Sequence, residues 1–347
     1  MNLYGIVMAG GQGTRFWPES TAKKPKQYLA LAGETSLLTQ SLERFEGLIP
    51  SERRYVVTVK AQEELAKQHS KNNIATNGLI FEPAGRNTAP CILLAIAALV
   101  VEGAKLDDVV CIVPSDHVIL NENGFRKTVE IASIEASKQQ RIVTIGIVPT
   151  FPHTGYGYIQ KAELQGEAFS VKQFREKPDQ ETAKSYLKTG EYLWNAGMFV
   201  SPIGIFLREL ETCSPETFKS YNALVDALTK KDEKLLADIY GQMPKDSIDY
   251  AVMEKSKFVS VVPSQFDWND LGSWDALESI MQATDGNFNV SGDRVLTHEA
   301  SGNIIFTPGK TTALVGVNDL VVVSNEHSVL VMPKSKSQDV KKIVEKL

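Results

Sequence analysis

The stretch Leu3–Leu29, LYGIVMAGGQGTRFWPESTAKKPKQYL, decides how the chain folds and what it can hold. Tyr4–Ala9 is an apolar run of strand length that ends abruptly at Gly10, Gly11, Gln12, Gly13, Thr14 and Arg15. Three glycines in four positions permit a sharp turn and leave backbone N–H groups to face an anion. Arg15 closes the loop, and Lys23, Lys24 and Lys26 follow. A strand, a glycine loop and cations in that order outline a polyphosphate site. Two commoner loops are excluded. No glycine here is followed by Lys and then Ser or Thr in the P-loop frame. A dinucleotide fingerprint needs a third glycine where Phe16 stands, and a ring there would spoil close helix–strand packing. The plain alternative is a tight turn between strand and helix.

Beyond this stretch, strand and helix signals alternate. Ser36–Phe45 and Ala61–Gln68 have helical spacing, while Arg54–Val59 and Leu79–Phe81 read as strands. Thr88–Val101 is helical and apolar on nearly every face, so it belongs in the core. Val109–Val113 and Ile142–Ile147 are strands, with a helix at Gly124–Ser137 between them. This order predicts an α/β fold: a Rossmann-like, mainly parallel sheet with helices on both faces and ligands at the strands' carboxyl ends.

Tyr158–Lys161 and Phe169–Phe174 read as antiparallel strands, and Tyr192–Val200 and Phe258–Pro263 read as strands. Helices are expected at Asp179–Lys188, Ile205–Glu211, Pro215–Leu228 and Lys234–Tyr240. After about Phe288 come short strands at Val295–Thr297, Ile304–Phe306, Ala313–Val317, Leu320–Ser324 and Ser328–Met332, closed by a Lys-rich helix at Lys336–Leu347. The expected domains are a catalytic one over 1–287 and a small β tail over 288–347 that serves packing or dimerisation.

The 347 residues carry a net charge of −5, from 37 basic and 42 acidic side chains, which argues against a nucleic-acid coat. No apolar run reaches the ~18 residues of a membrane span. Ala89–Val101 is too short, and no basic leader precedes the first strand, so neither a span nor a signal peptide is expected. Cys91, Cys111 and Cys213 are few and dispersed and read as core hydrophobes of a reducing compartment, which implies a cytoplasmic protein.

Further chemistry lies at strand ends. Asp116, in VPSDH after Val109–Val113, is placed to hold Mg²⁺, which takes one or two carboxylates and draws its other oxygens from phosphate and water. The alternative for Asp116 is an Asx turn or helix cap. His117 is a group behind it or a surface histidine. Asp270, in FDWNDLGSW, is either a second carboxylate for the metal or, with Ser273, a cap for a helix at Trp274–Met281. EPAGRNTAP (Glu82–Pro90) can read a purine base through Gly85, Arg86, Asn87 and Thr88, and Asn87 or Thr88 can also cap the following helix. Gly157 in TGYGYI, Glu176 and Lys177 in FREKPD, and Asn195 and Gly197 in WNAGMF suit a sugar phosphate, each weakly when taken alone. A sugar 1-phosphate is mostly dianionic at neutral pH, because its second pKa is about 6. It therefore attacks an α-phosphate without a strong base, and the site need supply only in-line positioning and cations.

GGQGTRFWPESTAKKPKQ resembles the signature of the sugar-1-phosphate nucleotidyltransferases. GRNTAP, VPSDH, TGYGYI, FREKPD, NAGMF, SIDYAVMEKS and WNDLGSW are similar to the mannose-1-phosphate guanylyltransferases among them, in order from Met1 to Trp274. GRNTAP and SIDYAVMEKS are the discriminating segments. The resemblance implies a GT-A-like nucleotidyltransferase domain with a left-handed β-helix-like tail; a homodimer is expected. It implies transfer of GMP from GTP to α-D-mannose 1-phosphate, giving GDP-mannose and pyrophosphate with Mg²⁺. Ala9, Gly10, Gly11, Gly13, Thr14 and Ser115 would line the nucleotide. Guanine would lie near Gly85, Asn87 and Thr88, and mannose near Gly157, Glu176, Asn195 and Gly197. Arg15 and Lys26 would meet the triphosphate, Lys177 the sugar phosphate or α-phosphate, and Asp116 and Asp270 the metal.

Where the family often writes FVEKP, Arg175 replaces the apolar residue; along the strand it should point away from Glu176 and Lys177. Some relatives carry a fused phosphomannose isomerase domain, for which this chain has no room, so isomerase activity is not expected. Two rivals keep the fold. One is a silent subunit that binds GDP-mannose, which should have lost Arg15, Lys26, Asp116 or Lys177. The other is the same chemistry on a different sugar phosphate or base. A nicotinamide oxidoreductase is disfavoured by Phe16.

Overall fold

The structure, a computed structural model, describes residues 1–11 and 13–347; Gln12, inside the glycine loop, lies outside the described residues. In chain order the first half runs β1 (Leu3–Met8), α1 (Leu37–Glu43), β2 (Arg54–Val59), α2 (Glu63–Ser70), β3 (Leu79–Glu82), α3 (Thr88–Val101), β4 (Val109–Pro114), α4 (Glu122–Gln139) and β5 (Ile142–Ile147). There follow β6 (Tyr158–Gln165), β7 (Ala168–Arg175), α5 (Gln180–Thr189), β8 (Tyr192–Pro202), α6 (Ile203–Cys213), α7 (Pro215–Phe218), α8 (Tyr221–Lys230), α9 (Glu233–Gln242) and β9 (Val259–Pro263). The tail holds β10 (Phe288–His298), β11 (Ile304–Val315), β12 (Leu320–Ser324), β13 (Val329–Pro333) and α10 (Val340–Val344).

Among the described residues the chain forms two compact units. The first comprises Met1–Gly10, Ser41–Pro114 and Ile119–Asp267, the second Gly11–Gln40, Ser115–Val118 and Trp268–Leu347.

The first unit is a nine-stranded mixed sheet in the order β3-β2-β1-β4-β8-β5-β9-β7-β6. β3, β2, β1 and β4 run parallel, as do β5 and β9, while β8 lies antiparallel between β4 and β5. β4 and β5 are almost wholly buried, which suits strands covered by helices on both faces. α3 has no polar face because it is sandwiched: Ile92 to Ala97 are all fully buried. β8 carries the main irregularity. Its register against β5 slips between Thr144 and Gly146, where Gly197 takes φ 65°. A bulge of this kind re-aims side chains, and Asn195 sits on it.

The second unit has its own core, built on Phe16, Leu271, Trp274, Ile304 and Val321. Its β10, β11 and β12 run parallel, and β13 closes antiparallel to β12. Asn287 and Asn303 occupy the same position on successive strands, each one residue before the paired Phe288 and Ile304. Asn303 Nδ2 donates to Asn287 Oδ1 at 2.9 Å and to Val317 O at 2.9 Å, and its Oδ1 accepts from Leu320 N–H at 3.0 Å. These bonds satisfy the Asn287 and Asn303 amides, which are almost fully buried.

Three expected elements differ. Pro215–Leu228 is broken into α7 and α8. The two strands expected at Ile304–Phe306 and Ala313–Val317 are one, β11. The Lys-rich terminal helix is a 3₁₀ turn at Lys334–Asp339 followed by the short α10.

Candidate active site

In the second unit the glycine loop turns at Gly13, in the left-handed region at φ 59°, ψ 34°. A Cβ there would fall on the Cβ of Lys26, so glycine is required both by the dihedral and by the side chain that passes it. The Ser20 hydroxyl donates to Gly13 O at 2.5 Å and fixes the turn. Thr14–Phe16 then form a 3₁₀ turn whose Phe16 is buried against Trp274, ring centres 5.0 Å apart. Gly11 and Arg15 are exposed, and Arg15 Nη1 donates to Gln338 Oε1 at 3.3 Å.

Lys26 is only 5% exposed. Its ammonium donates to Asp116 Oδ2 at 3.0 Å and to the Asp270 carbonyl at 2.6 Å. Burial by itself would raise the Asp116 carboxyl's pKa, but Lys26 and His117 outweigh burial and hold it below the ordinary range. His117 Nδ1 in turn accepts from Trp268 Nε1 at 3.1 Å. Val118 and Asn269 exchange backbone hydrogen bonds of 2.8 and 3.0 Å, which ties the Asp270 loop to the segment after Asp116. Both capping alternatives fail. α4 is capped by Asn121, and the 3₁₀ turn at Trp274–Ser279 has no side-chain cap. Ser115 is buried beside Asp116.

In the first unit Ala9, at the end of β1, donates to Val57 O at 2.7 Å and accepts from the Thr58 hydroxyl at 2.9 Å. A Cβ on Gly10 would lie 3.5 Å from Glu82 Oε2. Glu82 is buried at the end of β3, accepts from the Tyr240 hydroxyl at 2.5 Å, and is raised in pKa by that burial. In the loop that follows, Gly85 is exposed. Arg86 braces the loop on the carbonyls of Met243 and Gly241. Asn87, at φ 67°, ψ −175°, caps α3 with Oδ1 accepting from Thr88 N–H at 2.9 Å. That conformation is almost confined to glycine, and such strain clusters at ligand clamps.

The sugar-phosphate candidates meet around Gly157, also in the first unit. A Cβ there would lie 2.5 Å from Glu176 Oε2, so the glycine leaves room for that carboxylate. Lys177, at φ 46°, places Nζ 2.6 Å from Glu176 Oε1, and this bond raises the lysine's pKa. Arg175 is exposed at the end of β7. The Asn195 N–H donates to Gly157 O at 2.8 Å. Asn195 Nδ2 donates to Asp249 Oδ1 at 2.9 Å, and its Oδ1 accepts from Gly197 N–H at 3.1 Å. Burial first, and then Glu176, push the Asp249 carboxyl up to about 6.

Residues 4–286 match the family model Nucleotidyl transferase, and residues 293–347 match MannoseP isomerase/GMP-like beta-helix domain. Mannose-1-phosphate guanylyltransferase of Escherichia coli (strain K12) is 38% identical over 352 residues, covering 99% of this chain and 73% of that one. The chain belongs to the mannose-1-phosphate guanylyltransferase family. Among solved structures, mannose-1-phosphate geranyltransferase from Thermus thermophilus superposes with TM-score 0.89 at 32% identity, over all of this chain and 99% of that one. Mannose-6-phosphate isomerase from Helicobacter pylori gives TM-score 0.62 at 27% identity, over 78% of this chain and 100% of that one.

The sequence of this guanylyltransferase-family chain did not single out Glu82, Tyr240, Asp249 or Glu254; the first two bond each other at the end of β3, and the last two bond the candidate residues Asn195 and Glu176. The signal was available for two of them. Asp249 and Glu254 are acids inside the largely apolar run IDYAVME, whose Ile248, Ala251, Val252 and Met253 are buried.

Proposed function

We propose that the chain transfers GMP from GTP to α-D-mannose 1-phosphate, forming GDP-mannose and pyrophosphate. The substrates follow from likeness to mannose-1-phosphate guanylyltransferase along 99% of the chain. The reaction class rests on one observation: a buried ammonium, Lys26, paired with a carboxylate at the carboxyl end of β4. A cation held that way is preorganised for phosphate charge and costs no reorganisation when the charge shifts.

In this reading Arg15 and Lys26 neutralise the triphosphate, and Lys177 the phosphate of the sugar. Gly85, Asn87 and Thr88 border the guanine, while Glu176, Asn195 and the backbone at Gly157 and Gly197 hold the mannose hydroxyls. The nucleophile needs no base from the protein, since it is already mostly dianionic. Asp116 and Asp270 would hold Mg²⁺ through their side chains, with phosphate and water completing its oxygens; the Asp270 backbone carbonyl brings that loop to the ammonium that the Asp116 carboxylate also meets. Bound there, the ion would supply positive charge to the triphosphate. The protein acts as a cytoplasmic homodimer, in keeping with the free thiols of Cys91, Cys111 and Cys213; sedimentation tests the dimer.

Pyrophosphate release with Mg²⁺ tests the reaction, with GTP, ATP, UTP and dTTP each paired with mannose 1-phosphate and glucose 1-phosphate. Fast release confined to GTP with mannose 1-phosphate is expected. Equal or faster release with another pair overturns the substrate assignment. No release with any pair, alongside GDP-mannose binding, identifies a silent subunit instead.

A further inference from the structure

Within the first unit, residues 246–254 run from the base loop to the sugar residues and are fastened to both. Asp246 O accepts from Ala89 N–H at 3.1 Å, and Ile248 N–H donates to Thr88 Oγ1 at 2.8 Å. Further along, Asp249 Oδ1 accepts from Asn195 Nδ2, and Glu254 Oε1 accepts from Glu176 N–H at 3.3 Å. Ala251, Val252 and Met253 anchor the segment in the core. Asp249–Met253 winds as a π-helix, a rare form found mostly where function requires it.

These bonds leave the Asn195 amide one orientation. Its Oδ1 accepts from Gly197 N–H and, at 3.4 Å, from the Thr144 hydroxyl, so the carbonyl end cannot turn away. Asp249 takes one Nδ2 hydrogen and thereby sets the direction of the second. Mannose 1-phosphate and glucose 1-phosphate differ in the direction of one hydroxyl. An amide fixed in one orientation distinguishes them, because the wrong epimer leaves a polar group unpaired.

We propose that Asp249 is the specificity-determining positioning residue of the sugar subsite, aiming the Asn195 amide and so setting the choice among hexose 1-phosphates. This rests on the guanylyl-transfer reading above. The carboxyl's raised pKa fits the assignment, since a group held at such a cost is commonly functional.

Steady-state kinetics of D249A and D249N with GTP, Mg²⁺ and either sugar phosphate test it. D249A is expected to raise KM for mannose 1-phosphate about tenfold, to narrow the mannose-to-glucose ratio of kcat/KM about tenfold, and to leave KM for GTP within about twofold. D249N, which can still accept from Asn195, should recover most of the selectivity. In an N195A background D249A should narrow the ratio no further. An unchanged ratio in D249A overturns the assignment, and so does a KM for GTP that rises in step with that for the sugar, which marks general damage. Should D249A not fold, D249S carries the same expectations. Wild-type protein that does not turn over GTP with mannose 1-phosphate overturns the transfer reading and this one together. Wild-type turnover with selectivity untouched by D249A overturns only this one.

Discussion

Lys26 carries its charge at 5% exposure, between the Asp116 carboxylate and the Asp270 carbonyl. Removing one partner of a buried pair leaves the other uncompensated, so Asp116 and Lys26 are not independent groups. Lys177 differs: its side chain is 61% exposed and bonds only the neighbouring Glu176 among the described residues. Both cations are nonetheless assigned to phosphate charge. Asp116→Ala and Lys177→Ala are each expected to lower kcat by about 10² or more, through lost charge stabilisation. Steady-state turnover checks this, and a loss of tenfold or less in either variant removes its assigned role.

Asp249 makes a separate prediction, on stability. Its pKa is raised to about 6, so between the ordinary aspartate value and 6 the folded state binds its proton more tightly than the unfolded chain does. That contribution is complete at low pH and is lost as pH rises through 6. Relative to D249N, the wild type should lose roughly 2–3 kcal/mol of stability between pH 4 and pH 7. Urea unfolding across that range measures the difference. A difference that stays flat, or grows with pH, contradicts the assigned shift.

At the scale of elements, the sequence was most legible where burial is complete. β5 and α3 fill Ile142–Ile147 and Thr88–Val101, and β1 lies one residue before the apolar run Tyr4–Ala9, because uninterrupted apolar runs stop at Gly, Asn or a charged turn. The tail was legible only in pieces. β11 contains Pro308, Gly309 and Lys310 and is exposed along that stretch, so its two apolar ends read as separate strands. The site followed the same rule. Residues on glycine loops and strand ends announced themselves, whereas Asp249 opens, and Glu254 follows, a π-helical segment whose period matches neither a helix nor a strand.

The glycine loop gives the element-scale prediction. At Gly13 a Cβ meets Lys26 and φ is positive, while at Gly11 nothing lies within 4 Å of a Cβ. Gly13→Ala should therefore cost about 2–4 kcal/mol, from backbone strain and overpacking, and should lower kcat by displacing Lys26. Gly11→Ala should change stability by no more than about 0.5 kcal/mol. Equal melting temperatures for the two variants would refute this account of the turn.

The molecule as a whole carries a charge of −5, yet its proposed substrates are a nucleoside triphosphate and a sugar phosphate, both polyanions. Its overall field repels them, so attraction has to come from the local cations Arg15, Lys26 and Lys177, and Lys26 already neutralises Asp116. On the proposed reading Mg²⁺ would add the further positive charge, with Asp116 and Asp270 as the acids that would hold it. Ligand that binds only the folded state stabilises it by about 2.7 kcal/mol at 100 times Kd. GTP with Mg²⁺ should accordingly raise the melting temperature by several degrees. GTP with excess chelator should raise it far less, and D270N should respond to both conditions as the wild type does to chelator. Calorimetric melting reads all of these. If chelator leaves the GTP-induced shift intact, the protein's own cations suffice for the triphosphate, and Asp116 serves only to hold Lys26.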